Sequence, residues 1–600
     1  MENLKKILFA IKNKFFVDKF FTFATVLFFI FLFLYWGRFG DPVIDCGREA
    51  YIPYAMADLG KVLFKDIICI YGPVPYYLNA FFVKLFGANL NTMYIIGAAL
   101  SLIFLFGFYK FSKRFIGPGL AFALSGITIA CCIFNPTIFN YIFPYSYAMV
   151  YSLVFALFHL IYLFKFIDEI ESLENSSLLS LKNLYTSAFL LSLCLLSKFD
   201  FIPCVLPFLI VLFKYRKMLN LKAFLRIVAV FLIPFLILFL IFLIQKVTLQ
   251  DLMFNFKMIS NMAHSPSLEY FYTFSTGYFF SFNKTFMFIV PFLVSLLCFA
   301  LAGVLVYFAS KIKNKFFQIF TQFAVSLVFG SIIWFFSLDY IFIYIPLFVL
   351  IFFAFRCFVL LFECFKTKTL SLNKENFIPL VFILFTLLFS LKCLYGLSNL
   401  VYGTYYIPFV ALSFTIALFI IFKKHGSLLI TSLKNSFCII AVIFLLNNNF
   451  LFGYKNTPLK TVWGKFSIKK NTASSMNNAI KYLNDNLNGN DTVLVLPEGL
   501  MINYLLRKPS PSYNTSFTPL DFDAYGEKYL IDKFMDNQPK YLVLLPRNYK
   551  DYNKTFICTD FGVEFCNAIL KNYTQKIQFG KENTAKLQNK NLIRVFERKN

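Results

Sequence analysis

From residue 20 to about residue 452 the chain alternates long apolar runs with short basic intervals, and beyond that point the pattern changes. A helix needs about 20 predominantly apolar residues to cross a bilayer. By that measure spans are expected near 20–36, 93–110, 117–134, 147–166, 185–198, 201–214, 225–245, 286–309, 318–338, 341–362, 377–392, 406–422 and 436–452, about thirteen transmembrane helices. The fifth and sixth are short and are parted only by Lys198, Phe199 and Asp200. Residues 1–19 carry Lys5, Lys6, Lys12, Lys14 and Lys19 in an amphipathic pattern, that of a helix on the cytoplasmic membrane surface.

Two stretches break the apolar rhythm. Residues 37–92 form a first loop far longer than a connection needs, and loops of that length are usually functional. Apolar positions recur at helical spacing from Arg48 to Ala57, predicting a helix along the membrane surface. Asp45 and Glu49 are four apart and share a face if that helix begins early. From Tyr454 onward Asn, Lys, Asp and Thr replace Phe and Leu. Within this tail Asp491–Pro497 and Lys540–Pro546 read as buried strands ended by proline, and Ser474–Leu487 and Ala524–Phe534 carry helical spacing. Alternating strand and helix predicts a small α/β domain over 453–600, large enough for its own core. The expected division is therefore a basic segment 1–19, a membrane domain 20–452 and an α/β domain 453–600.

Charge fixes the expected orientation. The net charge is +27, but the basic residues lie in short clusters between apolar runs rather than in a patch, which is the distribution of the positive-inside rule and argues against a nucleic-acid partner. Lys110, Lys113 and Arg114, then Lys214, Arg216, Lys217 and Lys222, then Lys311, Lys313 and Lys315, then Lys366, Lys368 and Lys374, and finally Lys423, Lys424 and Lys434 fall in alternate loops. These loops, with the N-terminus, are expected inside. An odd number of spans then puts the first loop and the tail together outside the cytoplasm, in a multi-pass protein of the inner (plasma) membrane. No signal-peptide cleavage site follows the first span. No internal repeat of the inverted-transporter kind is visible.

A mean hydropathy of +0.69 and 21% aromatic residues agree with a polytopic membrane protein. Most of the thirteen Cys lie in apolar runs and read as small core residues; Cys558 and Cys566 sit in the polar tail, where pairing is open. No metal-ligand spacing with any of the three His is present, and His264 reads as an ordinary surface histidine.

Candidate chemistry concentrates in the first loop, where Asp41, Asp45, Arg48 and Glu49 stand within nine residues beside the membrane. They read either as a solvated loop or as groups that bind and turn over a polar substrate. Two further charged sites lie near membrane depth: Lys198 with Asp200, and Lys392 ahead of Tyr395, Tyr402, Tyr405 and Tyr406. Ionisable groups at that depth are functional hypotheses by default. The alternatives are that Lys198 and Asp200 pair or snorkel and that Lys392 anchors at the interface.

The first loop resembles that of the GT-C glycosyltransferases. The features are Asp45, the helix after it, Gly60 to Asp66 (Gly-Lys-Val-Leu-Phe-Lys-Asp) in the form Gly-x-x-Leu-[Tyr/Phe]-x-Asp, and Tyr71-Gly-Pro-Val-Pro-Tyr76. The nearest resemblance is to bacterial members of family 39, the protein O-mannosyltransferase and aminoarabinose-transferase group, and the tail around Val495–Gly499 and Asn503–Pro511 resembles an uncharacterised branch of it. The resemblance implies transfer of a sugar from a polyprenyl-phosphate donor to an acceptor (glycan, lipid or protein) on the extracytoplasmic face. It implies Asp45 as general base, with Glu49 in place of the second acid that many relatives carry next to it. It brings Asp66 and Tyr71 in as substrate contacts. The aminoarabinose transferases have a Lys-Pro-Pro where this chain has Gly72, Pro73 and Val74, so the resemblance leaves Arg48 or Lys65 to face the donor phosphate; Lys198 with Asp200, and Lys392, are further candidates for it because of their charge near membrane depth. The leaving lipid phosphate needs a fixed cation, either such a side chain or a divalent metal. Competing expectations are a flippase or transporter for lipid-linked glycans, a polymerase or ligase, and a non-catalytic binder of a lipid-linked sugar.

Overall fold

The computed structural model describes residues 18–172, 181–275, 282–318, 342–367, 374–422, 426–580 and 592–599 apart from 395, 399, 400 and 546, and between 319 and 341 only 320, 321, 324, 325, 328, 331 and 332. Most of the segment expected over 1–19, much of the span expected near 318–338, and Tyr395, Lys368, Lys423 and Lys424 lie outside the described residues.

The bundle opens with α1 (Lys19–Tyr35), whose first free backbone amide, on Phe20, is capped by the Asp18 carboxylate. After two first-loop helices, α2 (Cys46–Asp58) and α3 (Val74–Phe86), comes α4 (Leu90–Ile127), extended by a π-helical turn to Ile133. As one straight helix these 44 residues would run about 66 Å, twice the roughly 30 Å of a hydrocarbon core. They do not run straight. Gly117, followed by Pro118, has φ +73° and breaks the helix. Phe106 and Phe122 both pack on the start of α1, against Phe21 and Phe20, whereas Tyr94 and Phe134 both pack on its end, against Trp36 and Tyr35. The stretch is thus a hairpin of two crossings, matching the spans expected near 93–110 and 117–134.

Next come α5 (Tyr147–Ser172), α6 (Lys182–Ser197), a 3-10 turn at Phe199–Cys204 and α7 (Val205–Lys214). Asn183 at the start of α6 and Lys214 at the end of α7 both bond to the end of α5, through Glu169 and Glu171. The chain therefore reverses at Lys198–Asp200, and two short helices stand where the two short spans were expected. Then follow α8 (Leu221–Ile244), α9 (Leu249–Ala263), α10 (Pro266–Ser275), α11 (Phe282–Ala309), α12 (Ile345–Thr367), α13 (Lys374–Phe389), α14 (Ile407–Ile421) and α15 (Gly426–Gly453). Among the described residues five continuous helical stretches are long and apolar enough to cross a bilayer, the α4 hairpin counting once among them, with Lys19–Tyr35 and Ile407–Ile421 shorter. Helix α8 has a mean hydropathy of 3.4 and leaves Ile237, Phe239 and Leu240 more than half exposed. A band of that kind is stable against lipid and not against water. The protein is a polytopic, α-helical integral membrane protein with a C-terminal α/β domain.

One end of the bundle is knitted by Lys113–Asp18, Arg114–Asp168, Lys374–Asp168 and Lys214–Glu171 ion pairs, which gather basic intervals that are far apart in sequence. At the opposite end lie the first loop and the tail. The tail begins with a two-stranded ribbon, β1 (Thr457–Pro458) and β2 (Ser467–Ile468), followed by α16 (Lys470–Asn486). Its main sheet has the order β3 (Val493–Leu496), β4 (Tyr541–Leu544), β6 (Ile593–Arg598), β5 (Tyr573–Phe579); β3 and β4 are parallel and the other pairs antiparallel. Between β3 and β4 lie α17 (Leu500–Leu506), α18 (Pro519–Tyr525) and α19 (Glu527–Asp536), and α20 (Val563–Leu570) precedes β5. Both strands expected from the apolar runs are present. The helix expected over Ala524–Phe534 is instead two helices, because Gly526 between them has φ +76°. Cys558 and Cys566 are joined in a disulfide.

The first-loop helix differs from expectation in its surroundings. α2 was expected to lie along the membrane surface, yet every residue from Cys46 to Ala55 is buried. The tail covers it: Tyr51 Oη accepts the Ser510 amide at 2.8 Å, and the Arg507 guanidinium lies 4.7 Å from the Tyr54 ring centre. Gly47 is where α2 and α17 meet, and a Cβ there would strike the Met501 backbone. The hydrophobicity that reads as a membrane-facing stripe is a domain interface.

Candidate active site at the mouth of the bundle

Asp45 stands at the N-cap of α2 with φ +47°, a conformation costly for a non-glycine residue, and makes no capping bond. Its carboxylate turns instead to Arg48, with Nη1 to Oδ1 at 2.9 Å, and it keeps about a quarter of its side-chain surface open. Arg48 is nearly enclosed and fully engaged. Nη2 donates to the Tyr145 carbonyl at 2.9 Å, Nε donates to Glu49 Oε1 at 3.4 Å, and the guanidinium lies 5.4 Å from the Tyr71 ring centre. The other oxygen of Glu49 accepts the backbone N–H of Tyr147, first residue of α5, at 2.9 Å. Glu49 thus fastens α2 to a helix N-terminus, where a carboxylate is favoured. Burial pushes its carboxyl up to about 7, with Arg48 pulling the other way. Asp45 and Glu49 do not form an adjacent acid pair; Arg48 sits between them.

Tyr71 brings in the second charged group. Lys198 Nζ lies 4.3 Å over its ring and 3.4 Å from Asp200 Oδ2, while Lys392 Nζ reaches the same Asp200 oxygen at 2.6 Å and the Tyr272 hydroxyl at 3.1 Å. Two lysines thus share one carboxylate, so this half of the site carries one net positive charge, while Arg48 with Asp45 and Glu49 carries one net negative charge. The loop is pinned here by the Gly72 amide, which donates to the Ser197 carbonyl at 3.0 Å, and a Cβ on Gly72 would overlap the Leu196 carbonyl. Gly72→Ala is expected to push Tyr71 away from Lys198 and to cut activity by at least tenfold while the bundle stays folded. Assaying the purified variant beside its melting curve checks this, and undiminished activity would show that the close approach is dispensable.

The structure thus brings together Asp45, Arg48, Glu49, Tyr71, Lys198, Asp200 and Lys392 from the loop, α2 and two breaks between crossings. Lys65 and Asp66 are placed elsewhere, lining a cleft of about 250 Å³ with tail residues. His264 is exposed and local, its Nδ1 2.7 Å from the Ser260 carbonyl.

Aromatic groups complete the wall: Tyr71, Tyr402 and Tyr405, expected from the sequence, are joined by Tyr145, Phe271 and Tyr552, which were not. The Tyr145 ring packs on Tyr71, Tyr402 and Tyr405, Tyr402 continues to Phe271, and Phe271 stacks on Tyr552 of the tail. Among the described residues the buried Tyr145 hydroxyl has no hydrogen-bond partner, a cost that a bound polar ligand would remove. From the tail come Glu498 and Arg547, ion-paired to each other, with Arg547 also 3.6 Å from Asp551. Burial pushes the Glu498 carboxyl up against the pull of Arg547, and the charge of Asp45 acts in the same direction as burial. Arg547, with Asp41 to Ile44 of the first loop and Lys455 and Lys469 of the tail, lines a cavity of about 110 Å³. A signal for this pair existed: β3 and β4 both end in proline and are parallel neighbours, so the residues just beyond them share the carboxyl edge of the sheet, where open α/β sheets bind ligands. Among the described residues no group of three or more His, Cys, Asp or Glu side chains is placed to share a metal ion.

No family model matches the chain, and no curated protein matches it. Solved structures similar to it include ArnT from Cupriavidus metallidurans bound to undecaprenyl phosphate, at 12% identity over 97% of this chain and 98% of that one, with a TM-score of 0.42. The same protein in the apo state is similar at 12% identity over 96% and 97% of the two chains, with a TM-score of 0.41.

Proposed function

We propose that the protein is a GT-C-type glycosyltransferase that moves a sugar from a polyprenyl-phosphate donor to an acceptor on the extracytoplasmic face, with Asp45 as general base. The observation that carries this reading is the meeting, at the mouth of a lipid-embedded bundle, of a partly open carboxylate, Asp45, with two lysines, Lys198 and Lys392, that share the single carboxylate of Asp200. Attack by an acceptor hydroxyl on the anomeric carbon forms the new carbon–oxygen bond as the bond to phosphate oxygen breaks. The acceptor proton passes to Asp45, and the electron pair leaves on the lipid phosphate. The growing phosphate charge calls for preorganised positive groups. Lys198 and Lys392 suit that role better than Arg48, whose donors are already committed to Asp45, Glu49 and Tyr145. Glu49, with both oxygens occupied, is assigned to holding Arg48 rather than to moving protons. Lys65 and Asp66, in the other cleft, are not assigned to the donor phosphate.

The experiment is reconstitution of the full chain in vesicles carrying polyprenyl-phosphate-linked hexoses and pentoses, with release of polyprenyl phosphate measured against a panel of glycan, lipid and protein acceptors. Acceptor-dependent release is expected. Lys392→Met should raise the donor KM by about 10- to 150-fold, the range for losing a hydrogen bond to a charged group, with a smaller change in kcat. Transfer from a nucleotide sugar with none from any lipid-linked donor would overturn the reading.

A further inference from the structure

The cleft that holds Lys65 and Asp66 is separate from the Asp45 cluster and is built from two parts of the chain. One wall is the first loop at Lys61–Asp66, and the other is the tail from Pro511 to Asn537. The two are sewn together beside it, since the Ile68 amide donates to the Tyr513 carbonyl at 3.1 Å and the Tyr513 hydroxyl to the Phe64 carbonyl at 3.4 Å. Its interior is mixed. Phe517 and Phe534 give an apolar floor, and Tyr529 stands at the side with its ring half-buried.

Into this space faces Asn514. The residue is only 5% exposed, and among the described residues its buried amide nitrogen has no hydrogen-bond partner. A buried amide donor left unpaired is expensive, and a ligand acceptor is one way to satisfy it. Around the opening stand Lys61, Lys65 and Lys533. The acids present offset them only in part. Asp66 accepts the Val62 amide with one oxygen at 2.8 Å, and Lys533 meets Asp536 at 3.4 Å on an exposed helix face, where screening leaves little net attraction. At about 250 Å³ the cleft lies just below the roughly 300–1,000 Å³ of sites for drug-sized ligands, the size of a small polar unit.

We infer that this cleft binds a sugar unit bearing an anionic group, carboxylate or phosphate, as a recognition site for the acceptor. The apolar floor and Tyr529 accept the carbon–hydrogen face of a pyranose, Asn514 donates to a ring hydroxyl, and the lysines meet the acid. The assignment of this unit to the acceptor rests on the transferase reading; the binding itself does not. It also gives a use to Lys65, which lines this cleft with tail residues.

Saturation-transfer NMR on the full chain in micelles tests it, with methyl β-glucuronide, glucose 1-phosphate and neutral methyl β-glucoside as probes. At least one anionic sugar is expected to bind, and the neutral one much more weakly; which anionic probe binds tells carboxylate from phosphate. Lys65→Glu, on an exposed side chain, and Asn514→Ala should each weaken that binding roughly tenfold or more, as loss of one charge-assisted or buried hydrogen bond implies. Equal binding to wild type and both variants, or no binding of either anionic probe to wild type, overturns the assignment. A wild-type protein that binds the probe through Lys65 and yet transfers no sugar would overturn the transferase reading and leave this site standing.

Discussion

Asp45→Asn should abolish sugar transfer while leaving the protein folded. The change is almost isosteric, and an asparagine can still meet Arg48 through its amide oxygen, so the ion pair at 2.9 Å becomes a hydrogen bond rather than a gap. What disappears is the ability to accept a proton. A positioned general base is worth about a hundred- to ten-thousand-fold in rate, and the loss should appear in kcat with the donor KM little changed. Glu49→Gln is the control that separates the two acids. It keeps an acceptor for the Tyr147 amide at the start of α5 and removes only charge, so it should cost far less in rate. Parallel turnover and melting measurements decide the matter. Full activity in Asp45→Asn would remove it as the base and make a purely binding role for the loop the better account.

Arg48→Met should be the most destabilising single change in the site. Its guanidinium touches Asp45, Glu49, the Tyr145 carbonyl and the face of Tyr71 while staying nearly out of solvent. Removing it leaves Glu49, whose exposure is 2%, as a buried carboxylate without its counter-charge. Breaking one side of a buried pair costs about 3–5 kcal/mol, whereas removing both charges is often close to neutral. The double variant Arg48→Met with Glu49→Gln is therefore expected to recover much of the lost thermal stability without recovering transfer, because Asp45 still lacks the group that holds it. A double variant as unstable as the single one would show that Arg48 stabilises through packing and not through charge. The pH behaviour follows the same logic. With its carboxyl pushed up to about 7 from 4.5, Glu49 favours the folded state while protonated, so its contribution is largest below about 4.5 and is lost as pH rises toward 7.

How much of this was legible in the chain depends on how local the cause is. The apolar spans could be read one by one, because a bilayer imposes a length and a hydrophobicity on each helix separately. Even the α4 hairpin is written locally, as Gly117 before Pro118 in a run too long to cross once. The strands ahead of Pro497 and Pro546 were visible for the same reason, being short, apolar and buried, with only Leu544 partly exposed. β5 was not, since its residues are mostly exposed and polar and it is held as an edge strand by pairing with β6 rather than by its own hydrophobicity. The candidate site divides along the same line. Asp45, Arg48 and Glu49 stand out in sequence because charge beside a membrane is costly and therefore conspicuous. Which of them faces open space was decided by tertiary structure alone: α5 offers its first amide to Glu49, the tail buries α2, and Asp45 is what remains partly uncovered. The meeting of Lys198 with Lys392, 194 residues apart, over one shared carboxylate is likewise a product of helix packing. So is the removal of Lys65 to another cleft. The sequence by itself determined the membrane domain, the appended α/β domain and the loop where charged groups gather, because those follow from the local preference of each segment for lipid, water or core. Which charged groups share a site was left to the tertiary structure, because ion pairs and cavities depend on distances between segments that no local pattern encodes.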